Sequence, residues 1–160
     1  MSQIIDSESP STGKTAEGHA RPRPVLLATL SVRIDACAER MAIDSALEAG
    51  TKLILGNMLL LPPYPRTVML AREYATLPHE EDLDEVRATA LRAVALGIET
   101  ELLRVSSPRP VRALIELAAS RQVGLLVFGP DRTRLPRLRF RRAARAVRRS
   151  APCLVWIAEP

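Results

Sequence analysis

Nine arginines fall within the eighteen residues Arg132–Arg149, and no acid interrupts them. Guanidinium groups are permanently charged planar forks that match the geometry of phosphate and carboxylate. Arg132, Arg134 and Arg137 fall where the apolar pattern places the start of a helix. The helix dipole is already positive there, so each cation is unfavourable by roughly a few tenths of a kcal/mol unless an anion offsets it. Four uses of the segment follow: a solvated face, a site for a small anion or nucleotide, a surface for an acidic protein partner, or a nucleic-acid contact. The solvated face draws support from composition, because arginine outnumbers lysine 21 to 2 over the chain. Arg148 and Arg149 also suit the negative end of a helix dipole without any ligand. Nucleic acid is the least supported of the four, since the segment is short and lacks interleaved aromatics.

Other chemistry-bearing residues are sparse. Ser31, His79 and Asp131 are the candidates for acid–base or nucleophilic work. They read instead as a turn or cap residue, a surface residue at a helix start, and a partner for a neighbouring arginine, so the chain is not expected to be an enzyme. Cys37 and Cys153 lie in apolar segments and read as free buried thiols of a reducing compartment. Two Cys and two His (His19, His79) at unrelated spacings make no metal set. Ser11-Thr12-Gly13-Lys14-Thr15 has the ending of a P-loop, but position 8 is Glu8 instead of glycine and no strand precedes it. The most apolar run, Leu53–Leu61, is about half the ~20 residues of a membrane span. The first twenty residues carry Asp6, Glu8 and Glu17 and no apolar stretch of a secretory signal. The expected location is cytoplasmic, without membrane contact.

The 160 residues are 47% hydrophobic and 26% charged, the balance of an ordinary globular domain. The net charge of +5 is unevenly placed, because outside Arg132–Arg149 the remaining 14 basic residues face all 18 acids. Residues 1–22, rich in Ser, Thr, Gly, Pro and charge, read as a disordered tail, with one domain over 23–160. From Pro24 the chain alternates. Val25–Leu30 is a run for a strand buried on both faces. Ile34, Cys37, Ala38, Met41 and Ser45 recur at helical spacing up to Gly50. Lys52–Leu61 is a second strand, followed by a Pro-containing connection through Pro78. A helix then starts at Glu80-Glu81-Asp82, with the stripe Leu83, Val86, Ala90, Leu91 and Val94, and closes at Gly97. Ile98–Val105 alternates as an edge strand does. A helix carrying Val111, Leu114, Ile115 and Ala118 follows, then the strand Val123–Phe128. The basic helix has Leu138, Phe140, Ala143, Ala144 and Val147 on its apolar side, and Cys153–Ala158 is the last strand. Strands alternating with helices predict an α/β fold, a doubly wound five-stranded parallel sheet with helices on both faces. Ligands of such sheets bind beyond the carboxyl ends of the strands, here the loops after Leu30, Met58 and Phe128.

The segments Ala113-Leu114-Ile115-Glu116-Leu117-Ala118, Val123–Gly129 and Ala144-Arg145-Ala146-Val147 with Ser150-Ala151-Pro152-Cys153-Leu154-Val155 resemble the universal stress protein family, and element order and size match over 24–158. The resemblance implies a Rossmann-like domain of the adenine nucleotide alpha hydrolase kind. It also implies a homodimer through the last strand, 153–158, and a regulatory or binding role in stress response. The family's ATP-binding branch carries an aspartate at the end of the first strand. After the fourth strand it carries a glycine, two residues, a second glycine, nine residues, then glycine with Ser or Thr. Gly129 matches the first glycine. Arg132 stands at the second, and the closing pair falls near Arg141-Arg142 or Arg142-Ala143, depending on a one-residue gap. No glycine follows Gly129 anywhere, and Leu30 holds the aspartate position. A degenerate nucleotide or anion site at Gly129, Asp131, Arg132, Arg134 and Arg142 is therefore expected, with no cofactor and no usual ATP binding.

Overall fold

The computed structural model describes residues 22–61 and 79–158. The tail expected over 1–22, but for Pro22, and the connection from Pro62 through Pro78 fall outside the described residues. Among the described residues nine elements alternate: β1 (Val25–Thr29), α1 (Ala36–Ala49), β2 (Leu53–Leu60), α2 (Glu80–Ala95), β3 (Thr100–Ser107), α3 (Pro110–Ser120), β4 (Leu125–Phe128), α4 (Arg137–Ser150) and β5 (Leu154–Ile157). The five strands form one parallel sheet in the order β3-β2-β1-β4-β5. β1 is buried along its whole length because both its neighbours and both its faces are covered. β3, as its alternation predicted, lies at an edge.

Alternate residues of each strand feed two cores. Leu26, Ala28, Ile54, Met58, Leu126 and Phe128 meet α3 and α4 through Leu114, Ala118, Phe140 and Val147. Leu27, Leu55 and Val127 meet α1 and α2 through Ala38, Ala42, Ala46, Val86 and Ala93. The winding of the sheet reverses between β1 and β4. The loops that leave these two strands therefore diverge to opposite faces and open the crevice in which such sheets take ligands.

Three helix faces differ from expectation. α1 turns Ala38, Ala42, Ile43 and Ala46 inward, and Cys37 is exposed. α2 buries Asp82, Val86, Thr89 and Ala93, leaving Leu91 and Val94 at 69% and 54% exposure. In α4, Leu138 is 68% exposed. The cause is shared by α1 and α2. A helix that lies close on a sheet needs small residues at the contact, and the largest apolar side chains then fall outside it. Thr89 is tolerated inside because its hydroxyl donates to Glu39 Oε2 at 2.9 Å, and Arg92 Nε donates to Glu39 Oε1 at 2.6 Å. Hydrogen bonds from Arg92 hold the Glu39 carboxyl below its ordinary pKa, against the opposing effect of burial and with help from Thr89.

Candidate functional site

The loops after β1 and β4 are stitched together at the crevice. The Asp35 N–H donates to the Gly129 carbonyl and the Asp131 N–H to the Arg33 carbonyl, both at 2.9 Å. Ile34 and Pro130 form an isolated antiparallel bridge between the same loops. Asp35 caps α1 by accepting from the Cys37 N–H at 2.8 Å, which fixes where that helix begins. The start of α1 then lies so close to Gly129 that a Cβ added there would stand 2.0 Å from the Ala38 Cβ. Gly129 is thus required by helix packing alone.

Asp131 is buried and its carboxylate is fully engaged. Oδ2 accepts from Arg33 Nε. Oδ1 accepts from the Thr133 N–H at 2.8 Å and from Thr133 Oγ1 at 2.7 Å. Its carbonyl accepts from the N–H groups of Arg134 and Leu135, closing a turn that buries Leu135. Burial pushes the Asp131 carboxyl up, but the hydrogen bonds from Thr133 and Arg33 outweigh it, and its pKa lies below the ordinary value. As expected, Asp131 pairs with an arginine, but the partner comes from the β1 loop instead of from the arginine run.

The five candidate residues do not converge. Gly129 and Asp131 hold the two loops together. Arg132 lies over the Phe140 ring, 5.1 Å from its centroid, and Phe140 stacks on Phe128. Arg134 reaches toward Glu81, with Nη2 and Oε2 3.8 Å apart. Both line a hollow of about 350 Å³ with Arg33, Asp82, Asp84 and Glu85. Four carboxylates against two guanidinium groups repel an anion there. Asp82 is buried in that hollow's wall, and its Oδ1 has no hydrogen-bond partner among the described residues.

Arg142 faces the other side of the sheet. It lines a groove of about 440 Å³ with Leu30, Pro110, Val111, Pro136, Leu138, Arg139, Ala143 and Ala146. Leu30 reaches it from the end of β1, so this groove lies in the crevice. Arg139 and Arg142 make no ion pair or hydrogen bond among the described residues. α4 begins at Pro136 without a side-chain cap and with no acid in its first turn. Sequence reasoning counted Arg139 among nine equals and overlooked Arg33. The i, i+3 spacing of Arg139 and Arg142 was the signal that could have paired the first with Arg142.

Of the remaining candidates, Ser31 has a structural role. Ser31 is left-handed at φ 58°, its N–H donates to Asn57 Oδ1 at 3.2 Å and its Oγ to the Met58 carbonyl at 3.1 Å. His79 is exposed at the start of α2 and makes no side-chain cap there. The buried-thiol expectation fails for Cys37, and Cys153 is half-buried with burial raising its pKa. Among the described residues no group of three or more His, Cys, Asp or Glu is placed to hold a metal ion, and no helix is long and apolar enough to cross a membrane.

A model of the family described as the universal stress protein family matches residues 23–159. No curated protein matches the chain by sequence. Solved structures are similar over nearly their whole length. A universal stress protein from Archaeoglobus fulgidus is 24% identical, with a TM-score of 0.56, covering 86% of this chain and 98% of that one. The universal stress protein UspA from Lactobacillus plantarum is 15% identical, with a TM-score of 0.66, 88% of this chain and 99% of that one being covered. A universal stress protein in complex with cAMP is 21% identical, with a TM-score of 0.60 and the same coverage of 88% and 99%. At these identities the structures establish the shared fold.

Proposed function

The chain belongs to the universal stress protein family, and from that premise we propose that it is a regulatory binding domain of stress response whose crevice does not take ATP on a backbone cradle. The observation that carries this is the state of the β4–α4 loop. A phosphate cradle needs glycines whose free N–H groups approach the ligand. Here Gly129 is packed under α1, its N–H donates to the Ala28 carbonyl, and its carbonyl is taken by Asp35. Asp131 folds the next residues onto themselves, Arg132 occupies the second glycine position, and Leu30 is buried where the ATP-binding branch has its aspartate.

The work is binding instead of bond-making, since Asp131 and Ser31 are engaged as framework and His79 is exposed at the start of α2, apart from both. A second reading is favoured by Arg139 and Arg142, which line the groove and meet no carboxylate among the described residues. The Arg132–Arg149 segment would then hold an anionic or phosphorylated ligand through side chains. The dimer expected through 153–158 draws support from β5, an edge strand with Leu154 75% exposed. Calorimetric titration of the full chain with ATP, AMP and cAMP tests the main reading. No saturable heat with ATP at millimolar concentration is expected, and micromolar 1:1 binding of ATP overturns it.

A further inference from the structure

The groove beside α4 differs in kind from a nucleotide cleft. Its floor is Leu30, its walls are Val111, Ala143 and Ala146, and its two polar side chains are both arginines. Arg139 and Arg142 stand about one helical turn apart on the same side of α4, and both line this one groove. Arg139 is half-buried and Arg142 exposed, and no carboxylate among the described residues neutralises either. A cation partly removed from water without a counter-charge is unfavourable, and here the uncapped first turn of α4 adds to the positive potential. The sites at which this chain uses arginine as framework look different: Arg33, Arg92 and Arg121 each end on a carboxylate.

We propose that this groove binds an amphipathic carboxylate, an apolar chain or ring ending in a single carboxylate, with the anionic head between Arg139 and Arg142 and the body over Leu30, Val111 and Ala146. The proposal deepens the reading above and rests on it, because it requires that the crevice take its ligand through side chains. The apolar floor supplies burial for the body, which inorganic phosphate lacks, and a polyphosphate finds no glycine N–H groups for its further charges. A volume near 440 Å³ is within the range of small-molecule sites, roughly 300–1,000 Å³. Leu138, exposed at the rim, supplies apolar cover for a chain lying along the groove.

Titration of the full chain with decanoate, followed by calorimetry and amide chemical-shift mapping, tests the proposal. Decan-1-ol, inorganic phosphate and ATP are the comparison ligands. Decanoate is expected to saturate at 1:1, with shifts at Leu30, Val111 and the first two turns of α4. Decan-1-ol and phosphate should each bind at least about tenfold more weakly, since each lacks one half of the recognition. The double variant Arg139→Gln, Arg142→Gln should lose about tenfold or more in decanoate affinity with unchanged melting temperature, and Ala146→Phe should block the groove. Equal binding of decan-1-ol, an unaffected double variant, or no decanoate binding at millimolar concentration overturns the amphipathic ligand. Failure with decanoate while ATP also fails to bind sinks this proposal and leaves the parent reading standing. Micromolar ATP binding instead overturns the parent reading.

Discussion

On one face of the sheet Arg33, Arg92 and Arg134 each reach toward a carboxylate, whereas on the other Arg139 and Arg142 meet none among the described residues. The first face is packed by alanines of α1 and α2 and laced by ion pairs and hydrogen bonds to Glu39 and Asp131. The second has larger apolar side chains around Phe128 and Phe140, and an open groove. The same residue type is framework where acids surround it and a candidate ligand contact where they do not. Substitutions on the two faces should accordingly separate stability from binding.

The largest effect is expected at Gly129. Gly129→Ala places a methyl group 2.0 Å from the Ala38 Cβ, so α1 must shift. Overpacking of this kind costs about 3 kcal/mol, read as a lowered midpoint in urea unfolding. A variant as stable as the wild type would show that α1 is not held against this loop. Next comes Asp131→Asn, which removes a buried charge from Arg33 and weakens the turn at Thr133, at a cost of about 2 kcal/mol. Because the folded pKa of Asp131 is lowered, its stabilisation is present above the ordinary carboxylate value and is lost as pH falls through the folded one. Wild-type stability should therefore fall on acidification below about pH 4, and the Asn variant should show a shallower fall. An identical slope in both would mean that the Asp131 charge contributes nothing. Leu154→Asp on the β5 edge should convert a dimer to a monomer in size-exclusion chromatography while changing intrinsic stability by only about 0.5 kcal/mol. A wild-type chain that is monomeric at tens of micromolar removes that interface. The smallest effect on stability belongs to Arg139→Gln with Arg142→Gln, within about 0.5 kcal/mol of wild type. A marked destabilisation would place these arginines with the framework.

Much of the fold was legible in the sequence because its signals are local. Gly50 at φ 58° and Gly97 at φ 83° close α1 and α2 where the pattern placed the ends. The continuous apolar runs of β1, β2 and β4 marked buried parallel strands. What misled was hydrophobicity read by size, since Leu91, Val94 and Leu138 are exposed while Ala38, Ala42 and Ala93 make the contacts. The candidate site was less legible. The departure from the glycine motif is visible in Arg132 and in the lack of glycine after Gly129. The grouping of its residues is not, because it depends on which face of the sheet each loop residue reaches. Arg134 and Arg142, eight positions apart, line hollows on opposite faces. Arg33 and Asp131 meet across 98 positions of chain, and no spacing rule joins them.

The central proposal is that the β4–α4 loop serves as framework and not as a phosphate cradle. Titration calorimetry of the full chain with ATP tests it most directly. The account predicts no saturable binding at millimolar nucleotide, and 1:1 binding in the micromolar range would contradict it.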